Sequence, residues 1–153
     1  MNLYKNIATV FGLGYIPFAP GTFGALGGVM ISSILYICGL SFYTFHFVHI
    51  ALVIMAYFAG VAACNVVNKE WGDDPSKVVI DETLGFWISI LFLPLEWHTF
   101  LLAFVVFRFF DIVKPLGIRY IDRYHSSHAV MLDDVLAGIY TNLVLQMLYY
   151  LYF

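Results

Sequence analysis

Five acidic residues have the types and spacing to do chemistry in this chain. Asp81-Glu82 and Asp133-Asp134 are adjacent pairs, and Asp111 lies between the two pairs, in each case at the end of an apolar segment. Helices that begin or end at these points would bring the acids to one depth on one face. Carboxylates gathered without histidine or cysteine partners are typical ligands of a hard divalent cation, Mg²⁺ first. The pattern therefore predicts a metal site formed by Asp81, Glu82, Asp111, Asp133 and Asp134.

Each acid taken alone has a simpler explanation. An Asp at the start of a helix can cap backbone N–H groups and complement the helix dipole, and a loop acid can simply be solvated. Capping does not account for doubled acids, which repel each other. It also does not account for Asp111, which follows a helix and so lies near the unfavourable C-terminal end of the dipole. As a set, the acids favour cation binding.

Basic residues near these acids indicate a phosphate ligand. Arg108 lies three residues before Asp111, on the same helical face, and Lys114 follows a few residues later. Arg binds phosphate through two parallel hydrogen bonds, and Lys acts as a point charge. Without a metal, so many carboxylates would repel an anion. Acids, bases and a divalent cation together predict a site for a phosphate group.

A glycine-rich stretch, residues 12–24, precedes the first long apolar segment. It ends near Thr22, which we expect to be the N-cap of the first membrane helix. Glycines let a ligand approach the backbone, and the N-terminus of a helix attracts phosphate. The stretch lacks the Gly-Lys-Ser/Thr of a nucleotide-binding P-loop. A re-entrant turn with no ligand is the alternative for this stretch.

The elements that must position these residues are predicted to be membrane helices. The chain is 62% hydrophobic and only 11% charged, which a water-soluble fold of 153 residues could not bury. Apolar blocks cover 22–40, 42–67 and 135–153, and a fourth, 84–107, is interrupted around Pro94. We predict an all-α, polytopic membrane bundle of four to five helices, forming a single domain over residues 1–153. Residues 84–107 form either one kinked span or a short helical hairpin.

The charged residues collect on one side of the predicted membrane bundle. With five crossings, all seven Lys and Arg residues and nine of the ten acids fall on the side of the N-terminus, and Glu96 is the exception. Excess Lys and Arg marks the cytoplasmic side. The site is therefore expected on the cytoplasmic face of the membrane. Cys38 and Cys64 lie near opposite faces and are expected to form no disulfide. The mild net charge of −3 and the absence of a basic stripe argue against nucleic-acid binding.

Four motifs in this order resemble the phosphatidylglycerophosphatase A family and span nearly the whole chain. Each motif alone is modest, and the four together are specific. The motifs are Ala19-Pro20-Gly21-Thr22-Phe23-Gly24, Asp74-Pro75-Ser76-Lys77-Val78-Val79-Ile80-Asp81-Glu82, Phe107-Arg108-Phe109-Phe110-Asp111-Ile112-Val113-Lys114-Pro115 and Met131-Leu132-Asp133-Asp134-Val135-Leu136-Ala137-Gly138. The segment Ser126-Ser127-His128-Ala129 stands where the family usually has a glycine-rich stretch.

The resemblance implies a Mg²⁺-dependent lipid phosphatase of the bacterial inner membrane. Such an enzyme removes the terminal phosphate of phosphatidylglycerophosphate and leaves phosphatidylglycerol. Asp74 matches a further acidic position of the family. We expect catalytic roles for Asp81, Asp111 and Asp134, and substrate binding by Thr22, Lys77, Arg108 and Lys114. Glu70, Asp73 and Asp122 lie outside the matching positions and are expected to be ordinary solvated loop charges, and His125 and His128 to be loop histidines rather than ligands.

Other functions remain open at this stage. The substrate could be another membrane phosphomonoester, such as phosphatidic acid. An ion-coupled transporter usually carries its carboxylates near the membrane midplane, on broken helices within internal repeats, and this chain has no such repeat. A non-catalytic membrane scaffold would not need doubled acids. Phosphate release from purified protein separates these classes.

Overall fold

A computed structural model describes residues 2–72, 75–115, 117–124 and 126–152. Within these residues the chain is all-helical, as predicted, and contains no strand. Seven α-helices follow one another along the described chain, with a 3₁₀ turn at Leu13–Tyr15 between the first two. They are α1 (Leu3–Ala8), α2 (Pro20–Ile37), α3 (Phe42–Trp71), α4 (Ile80–Ser89), α5 (Trp97–Val113), α6 (Ile118–Asp122) and α7 (Ser127–Tyr152).

Three of the described helices, α2, α3 and α7, are long and apolar enough to cross a membrane. The predicted count of four to five is not reached on length and composition, because α5 has 17 residues and α4 only 10. Residues 84–107 form the hairpin of the two arrangements considered. Pro94 lies in the turn between α4 and α5, where it interrupts no helical hydrogen bond. Cys38 and Cys64 form no disulfide, as expected.

Helix α4 lies at the centre of the bundle, in contact with α2, α3, α5 and α7. Nearly all its side chains are buried, although the helix is too short to cross a bilayer. Glycines permit this close packing. A Cβ atom at Gly24 would lie 2.6 Å from the Val79 carbonyl oxygen, and one at Gly138 would lie 2.5 Å from the Gly85 carbonyl oxygen. The small-residue face of α2 therefore packs against α4, and α7 crosses α4 at Gly85.

Polar side chains satisfy the C-terminal end of α4 inside the bundle. The Asn142 side-chain amide on α7 donates hydrogen bonds to the Ser89 carbonyl, at 3.1 Å, and to the Leu91 carbonyl, at 2.8 Å. The Phe92 backbone N–H donates to His46 Nδ1 at 3.1 Å. Non-helical backbone at membrane depth is tolerated where protein groups satisfy it. These contacts explain how a helix of about 15 Å can end within the bundle.

The helix directions bring five helix ends together at one end of the bundle. Contacts between α7 and α4 run in parallel, and those between α7 and α5 run antiparallel, from Thr99–Tyr149 to Lys114–Asp133. The starts of α2, α4 and α7 therefore meet the ends of α3 and α5. All seven Lys and Arg residues lie in the segments at this end. The structure thus supports the predicted one-sided charge as a property of the bundle.

Three helix boundaries differ from those predicted. Helix α2 begins at Pro20 with Ala19 as its N-cap, so Thr22 lies inside the first turn and is not the cap. Helix α7 begins at Ser127, which places Asp133 and Asp134 in its second turn rather than at its start. Asp111 lies in the last turn of α5, which continues to Val113. The helices therefore extend further into the polar segments than hydropathy alone indicates.

Candidate active site

A cavity of about 310 Å³ opens where the helix ends meet. It is lined by the N-terminal parts of α2, α4 and α7, by the loop before α4, and by the C-terminal parts of α5 and α6. Its polar lining consists mainly of carboxylates and two bases. The charged residues in the lining are Asp81, Glu82, Arg108, Asp111, Lys114, Asp122, Asp133 and Asp134. The structure therefore brings together all five predicted metal ligands and two of the three bases predicted to bind substrate, Arg108 and Lys114.

Three of the carboxylates form a tight group in which each keeps one oxygen without a partner. Asp81, Glu82 and Asp134 each offer one oxygen, and these three oxygens lie within 4.8 Å of one another. Asp81 is 8% exposed and Asp134 is 3% exposed. Asp81 Oδ1, Glu82 Oε2 and Asp134 Oδ1 are buried and have no hydrogen-bond partner. Buried polar atoms are normally partnered, so three grouped carboxylates that each keep one buried oxygen without a partner suit a divalent cation.

Local packing explains why these three side chains meet. Asp81 and Glu82 occupy the first turn of α4. A Cβ atom at Gly85 would lie 2.8 Å from the Asp134 carbonyl oxygen, so α7 approaches α4 one turn below the acids. A Cβ atom at Gly21 would lie 2.1 Å from Glu82 Oε1 and 3.2 Å from the Arg108 guanidinium. The start of α2 can cover the acids only because residue 21 has no side chain.

Burial makes the ionised forms of these acids unfavourable without a counter-charge. Burial, with the neighbouring charges of Glu82 and Asp134, raises the pKa of Asp81 well above its ordinary value. Burial is also the largest cause that raises the pKa of Glu82, to about 7. A divalent cation would favour the ionised forms and would satisfy the orphaned oxygens. The donor set, oxygen only and anionic, suits Mg²⁺.

The remaining carboxylates of the cavity are engaged with its two bases. Arg108 donates a hydrogen bond from its guanidinium to Asp111, three residues later in α5. The Lys114 ammonium donates to Asp122 and, at 2.6 Å, to Asp133 Oδ2. Burial disfavours the charged form of Lys114, but the hydrogen bonds to Asp122 and Asp133 outweigh it, so the Lys114 pKa is raised. Both bases are therefore cationic and fixed in place.

Two residues predicted to bind substrate do not line the cavity. Lys77 is exposed, and its ammonium lies 5.9 Å from the Tyr15 ring centre and 5.5 Å from the Trp71 ring centre. Thr22 is half-buried in the first turn of α2, where its neighbour Gly21 faces the acids. The roles of Thr22 and Lys77 stay predictions without support from the cavity. Asp74, the further acidic match, lies outside the described residues.

The structure also identifies residues of the site that sequence reasoning missed. Asp122 lines the cavity and pairs with Lys114, so the expectation of an ordinary solvated loop charge was wrong. Its eight-residue separation from Lys114, across a proline turn, gives no helical spacing that could have indicated the pair. Gly21 carried a signal, since it lies at the centre of the Pro20-Gly21-Thr22 motif. Glu70 pairs instead with Lys5 at 2.5 Å, away from the cavity lining.

Of the two histidines considered near α7, the structure describes only His128. His128 Nδ1 lies 3.0 Å from the Tyr57 hydroxyl, with which it shares a hydrogen bond, and His128 does not line the cavity. His128 lies in the first turn of α7 and not in a loop, as was expected, and its not being a ligand stays a prediction. His125 and Asp73 lie outside the described residues.

Comparison with known proteins shows which family this chain matches. The phosphatidylglycerophosphatase A family matches the chain over residues 6–149. A relative from Bacteroides thetaiotaomicron, named "Putative phosphatidylinositol-3-phosphatase", is 46% identical over 138 residues, which cover 88% of this chain and 86% of the relative. A "Phosphatidylglycerophosphatase A" from Haemophilus influenzae is 35% identical over 94% of this chain and 87% of its own length.

A second "Phosphatidylglycerophosphatase A", from Escherichia coli, is 32% identical over 90% of this chain and 78% of its own length. No solved structure matches the chain significantly. The family match covers nearly the entire bundle, including every helix that contributes to the cavity. The chain therefore belongs to the phosphatidylglycerophosphatase A family of phosphatases.

Proposed function

We propose that this protein hydrolyses the terminal phosphomonoester of phosphatidylglycerophosphate, with Mg²⁺, to give phosphatidylglycerol and phosphate. The observation that carries the proposal is the cavity itself. Three grouped carboxylates, each with one buried oxygen that has no partner, lie beside two fixed bases in a chain whose family match spans residues 6–149. Two relatives carry the name of this activity. Anionic oxygens for a cation and cationic groups for a phosphate are the two requirements of metal-assisted phosphoryl transfer.

The divalent cation would be held by Asp81, Glu82 and Asp134, whose orphaned oxygens it would satisfy. Asp111 and Asp133 are further predicted ligands that line the same cavity. The cation supplies charge neutralisation at the phosphate and Lewis-acid activation of the attacking water. We choose Mg²⁺ because every side-chain donor at this point is a carboxylate oxygen.

The bases would bind the transferring phosphoryl group. Arg108 Nη1 is held by Asp111, whereas Arg108 Nε is buried without a partner and keeps a donor for a phosphate oxygen. Lys114 uses two of its three N–H donors on carboxylates and retains one. Fixed donors directed at phosphate oxygens stabilise charge in the transition state without reorganising during the reaction.

Hydrolysis of the phosphomonoester requires a group that accepts a proton from the attacking water. Water attacks phosphorus, a P–O bond forms, and the P–O bond to the glycerol oxygen breaks. Asp81 or Asp134 accepts the proton that the water loses and later releases it to solvent water, and the leaving glycerol oxygen takes up a proton from solvent water. Burial raises the pKa of the Asp81 carboxyl well above its ordinary value, and a carboxylate of raised pKa is a stronger proton acceptor than a fully solvated one.

The lipid would stay in the bilayer while its headgroup enters the cavity. Ile112 lines the cavity and is 68% exposed, so one side of the cavity rim is apolar. It lies one turn beyond Arg108 on α5. The acyl chains can therefore remain against the outer surface of the helices, and only the phosphate needs to reach the acids. We place this end of the bundle in the cytoplasm, at a bacterial inner membrane, because the basic residues collect there.

A phosphatidylinositol 3-phosphate is the second candidate substrate. The relative from Bacteroides thetaiotaomicron, with 46% identity, is named for that reaction. Like phosphatidylglycerophosphate, this lipid carries a phosphodiester and a separate phosphomonoester. Phosphatidic acid, which has a phosphomonoester alone, is the third candidate. All three present the same reacting group to the cavity.

Phosphate release from purified protein in lipid–detergent micelles separates these candidates. The three lipids are compared at equal mole fraction, with Mg²⁺ and with EDTA. We expect the fastest release from phosphatidylglycerophosphate and at least a hundredfold loss in EDTA. Preference for the inositol lipid would reassign the substrate. Release from none of the lipids would overturn the proposal and favour a transporter or scaffold.

A further inference from the structure

Asp122 belongs to the cavity although it lies outside the family motifs recognised in the sequence. It is the last residue of α6, it lines the cavity, and its carboxylate accepts a hydrogen bond from the Lys114 ammonium. The Asp122 side chain is 35% exposed and that of Lys114 is 23% exposed, so the pair is sheltered without being dry. An ion pair in such a place orients its members more than it stabilises the fold.

The local structure holds both partners of this pair in place. Lys114 ends α5 in the left-handed conformation, with φ of 48°, where glycine is the preferred residue. Gly117, at φ of 91°, then starts α6, and Ile118 anchors α6 with no exposed surface. Helix α6 packs against α7, which carries Asp133. A lysine kept in a conformation that costs free energy suggests that its side chain is needed there.

Two carboxylates hold Lys114 from different helices. Asp122 comes from α6 and Asp133, whose Oδ2 lies 2.6 Å from the Lys114 ammonium, comes from α7. A lysine side chain has four rotatable bonds, and a single partner would leave its ammonium mobile. Two partners leave it one free N–H donor and restrict the direction of that donor. Lys114 is thereby preorganised in the cavity.

Asp122 is separate from the carboxylates that can hold the cation. The group of unpartnered oxygens comprises Asp81, Glu82 and Asp134. Asp122 has no orphaned buried oxygen, since its carboxylate is engaged by Lys114. We propose that Asp122 is a positioning residue of the phosphatase site, which fixes Lys114 for a phosphate oxygen and takes no part in holding the divalent cation.

This proposal rests on the proposed function, and matched Asp→Asn variants test it. Mn²⁺ binding, followed by electron paramagnetic resonance, reads the cation site without turnover. We expect Asp122→Asn to keep its Mn²⁺ affinity within threefold of wild type and to lose at least tenfold in kcat/KM. Asp81→Asn should lose Mn²⁺ binding as well as activity. Glu70→Gln, which removes an acid outside the cavity, should change neither.

A double-mutant cycle with Lys114 distinguishes positioning from a general structural role. In a Lys114→Met background, Asp122→Asn should lower kcat/KM by less than twofold further, because the group that it positions is gone. Asp122→Glu keeps the charge and should recover part of the activity. Additive losses in the cycle, or kcat/KM of Asp122→Asn within twofold of wild type, would overturn the proposal. Loss of Mn²⁺ binding in both Asp122 variants would overturn it too, by making Asp122 part of the cation site.

Inorganic phosphate provides a test that does not depend on which lipid is hydrolysed. With Mg²⁺ present, phosphate should raise the thermal midpoint of the wild-type protein more than that of Asp122→Asn. Equal shifts would contradict the positioning role. If wild type binds phosphate in this way but releases none from any of the three lipids, the proposed function fails while the role of Asp122 stands.

Discussion

Charge, burial and partners divide the acids of the cavity by role. Asp81, Glu82 and Asp134 are grouped and carry orphaned oxygens, whereas Asp111, Asp122 and Asp133 hold Arg108 or Lys114. A buried, unpaired carboxylate lowers the stability of the metal-free protein when it is ionised. The same carboxylate becomes favourable when a divalent cation is bound. Removal of such a carboxylate should therefore stabilise the metal-free protein and lower the activity measured with metal.

Glu82→Gln tests this opposition through its pH dependence. The pKa of Glu82 is raised from 4.5 to about 7 in the folded protein. The contribution of protonated Glu82 to the free energy of unfolding is therefore fully present below pH 4.5 and is lost as pH rises through about 7. In EDTA, Glu82→Gln should be more stable than wild type at pH 8, by up to about 3 kcal/mol, and no more stable at pH 4.5.

Thermal denaturation in detergent at the two pH values measures this difference. At pH 8 with Mg²⁺, the same variant should lose at least a hundredfold in phosphate release, because one ligand of the cation is gone. Glu70→Gln, which alters an exposed acid, serves as the control and should shift neither quantity. A Glu82→Gln protein destabilised at pH 8 in EDTA would contradict the assignment of a carboxylate whose ionised form burial makes unfavourable.

At the scale of helices, the site depends on how closely α7 and α2 approach the short helix α4. Gly85 and Gly138 let α4 and α7 cross with backbone in contact, and Gly21 lets α2 cover Glu82. Asp134 reaches the two acids of α4 through this crossing. Protein interiors are close-packed, so a single added methyl group at the crossing must displace a helix or a ring.

Gly85→Ala should separate the two halves of the cation site. Its Cβ atom would lie 2.5 Å from the Phe107 ring and 2.8 Å from the Asp134 carbonyl oxygen. We expect a loss of about 1–3 kcal/mol in stability and at least tenfold weaker Mn²⁺ binding. Ala62→Val, on an exposed position of α3, is the control and should change both by little. Wild-type Mn²⁺ affinity in Gly85→Ala would show that the crossing does not position Asp134.

The far end of α4 gives a second prediction at this scale. Asn142→Leu removes both donors to the Ser89 and Leu91 carbonyls while it preserves side-chain size. Leaving buried carbonyls unpaired should cost about 1–3 kcal/mol in the thermal stability of the purified protein. Gln146→Leu makes the same chemical change at an exposed position one turn away and should cost much less. Equal effects of the two variants would mean that the Asn142 amide does not support the end of α4.

At the scale of the whole molecule, charge distribution and helix direction give the bundle two unlike ends. The cavity and all Lys and Arg residues lie at one end. The other carries Cys38 at the C-terminus of α2 and the exposed pair Glu96 and His98. A phosphatase cavity at the cytoplasmic surface would place Cys38 on the opposite side of the membrane.

Thiol labelling of Cys38 tests this orientation in intact cells. Cys38 is exposed whereas Cys64 is buried, so a membrane-impermeant maleimide should label wild-type protein and not Cys38→Ala. A cysteine introduced in the Cys38→Ala protein at Glu70, near the cavity end, should be labelled only after the membrane is permeabilised. Labelling of the Glu70 position from outside, with Cys38 protected, would reverse the orientation.

Much of this protein follows from sequence alone, because hydropathy and charge type are properties of the residues themselves. The helical class, the break at Pro94, the bases at one end of the bundle and the five acids that line the cavity could all be expected in this way. The predictions of Thr22 as an N-cap and of Asp122 as a solvated charge were wrong, because both depend on where helices begin and on which residues face them. Lys77, predicted from its motif, lies against Trp71 rather than in the cavity lining.

Tertiary structure decided which charges are partners. Sequence can bring Asp81, Asp111, Asp122 and Asp134 to one end of a bundle. It cannot state that Asp122 meets Lys114 while Asp81 and Asp134 each keep a buried oxygen without a partner. That division arises from the crossing of α4 and α7 at Gly85 and from the packing of α6 on α7. Contacts between residues far apart in the chain set burial and pairing, and burial and pairing determine which carboxylates keep oxygens available for a proposed cation.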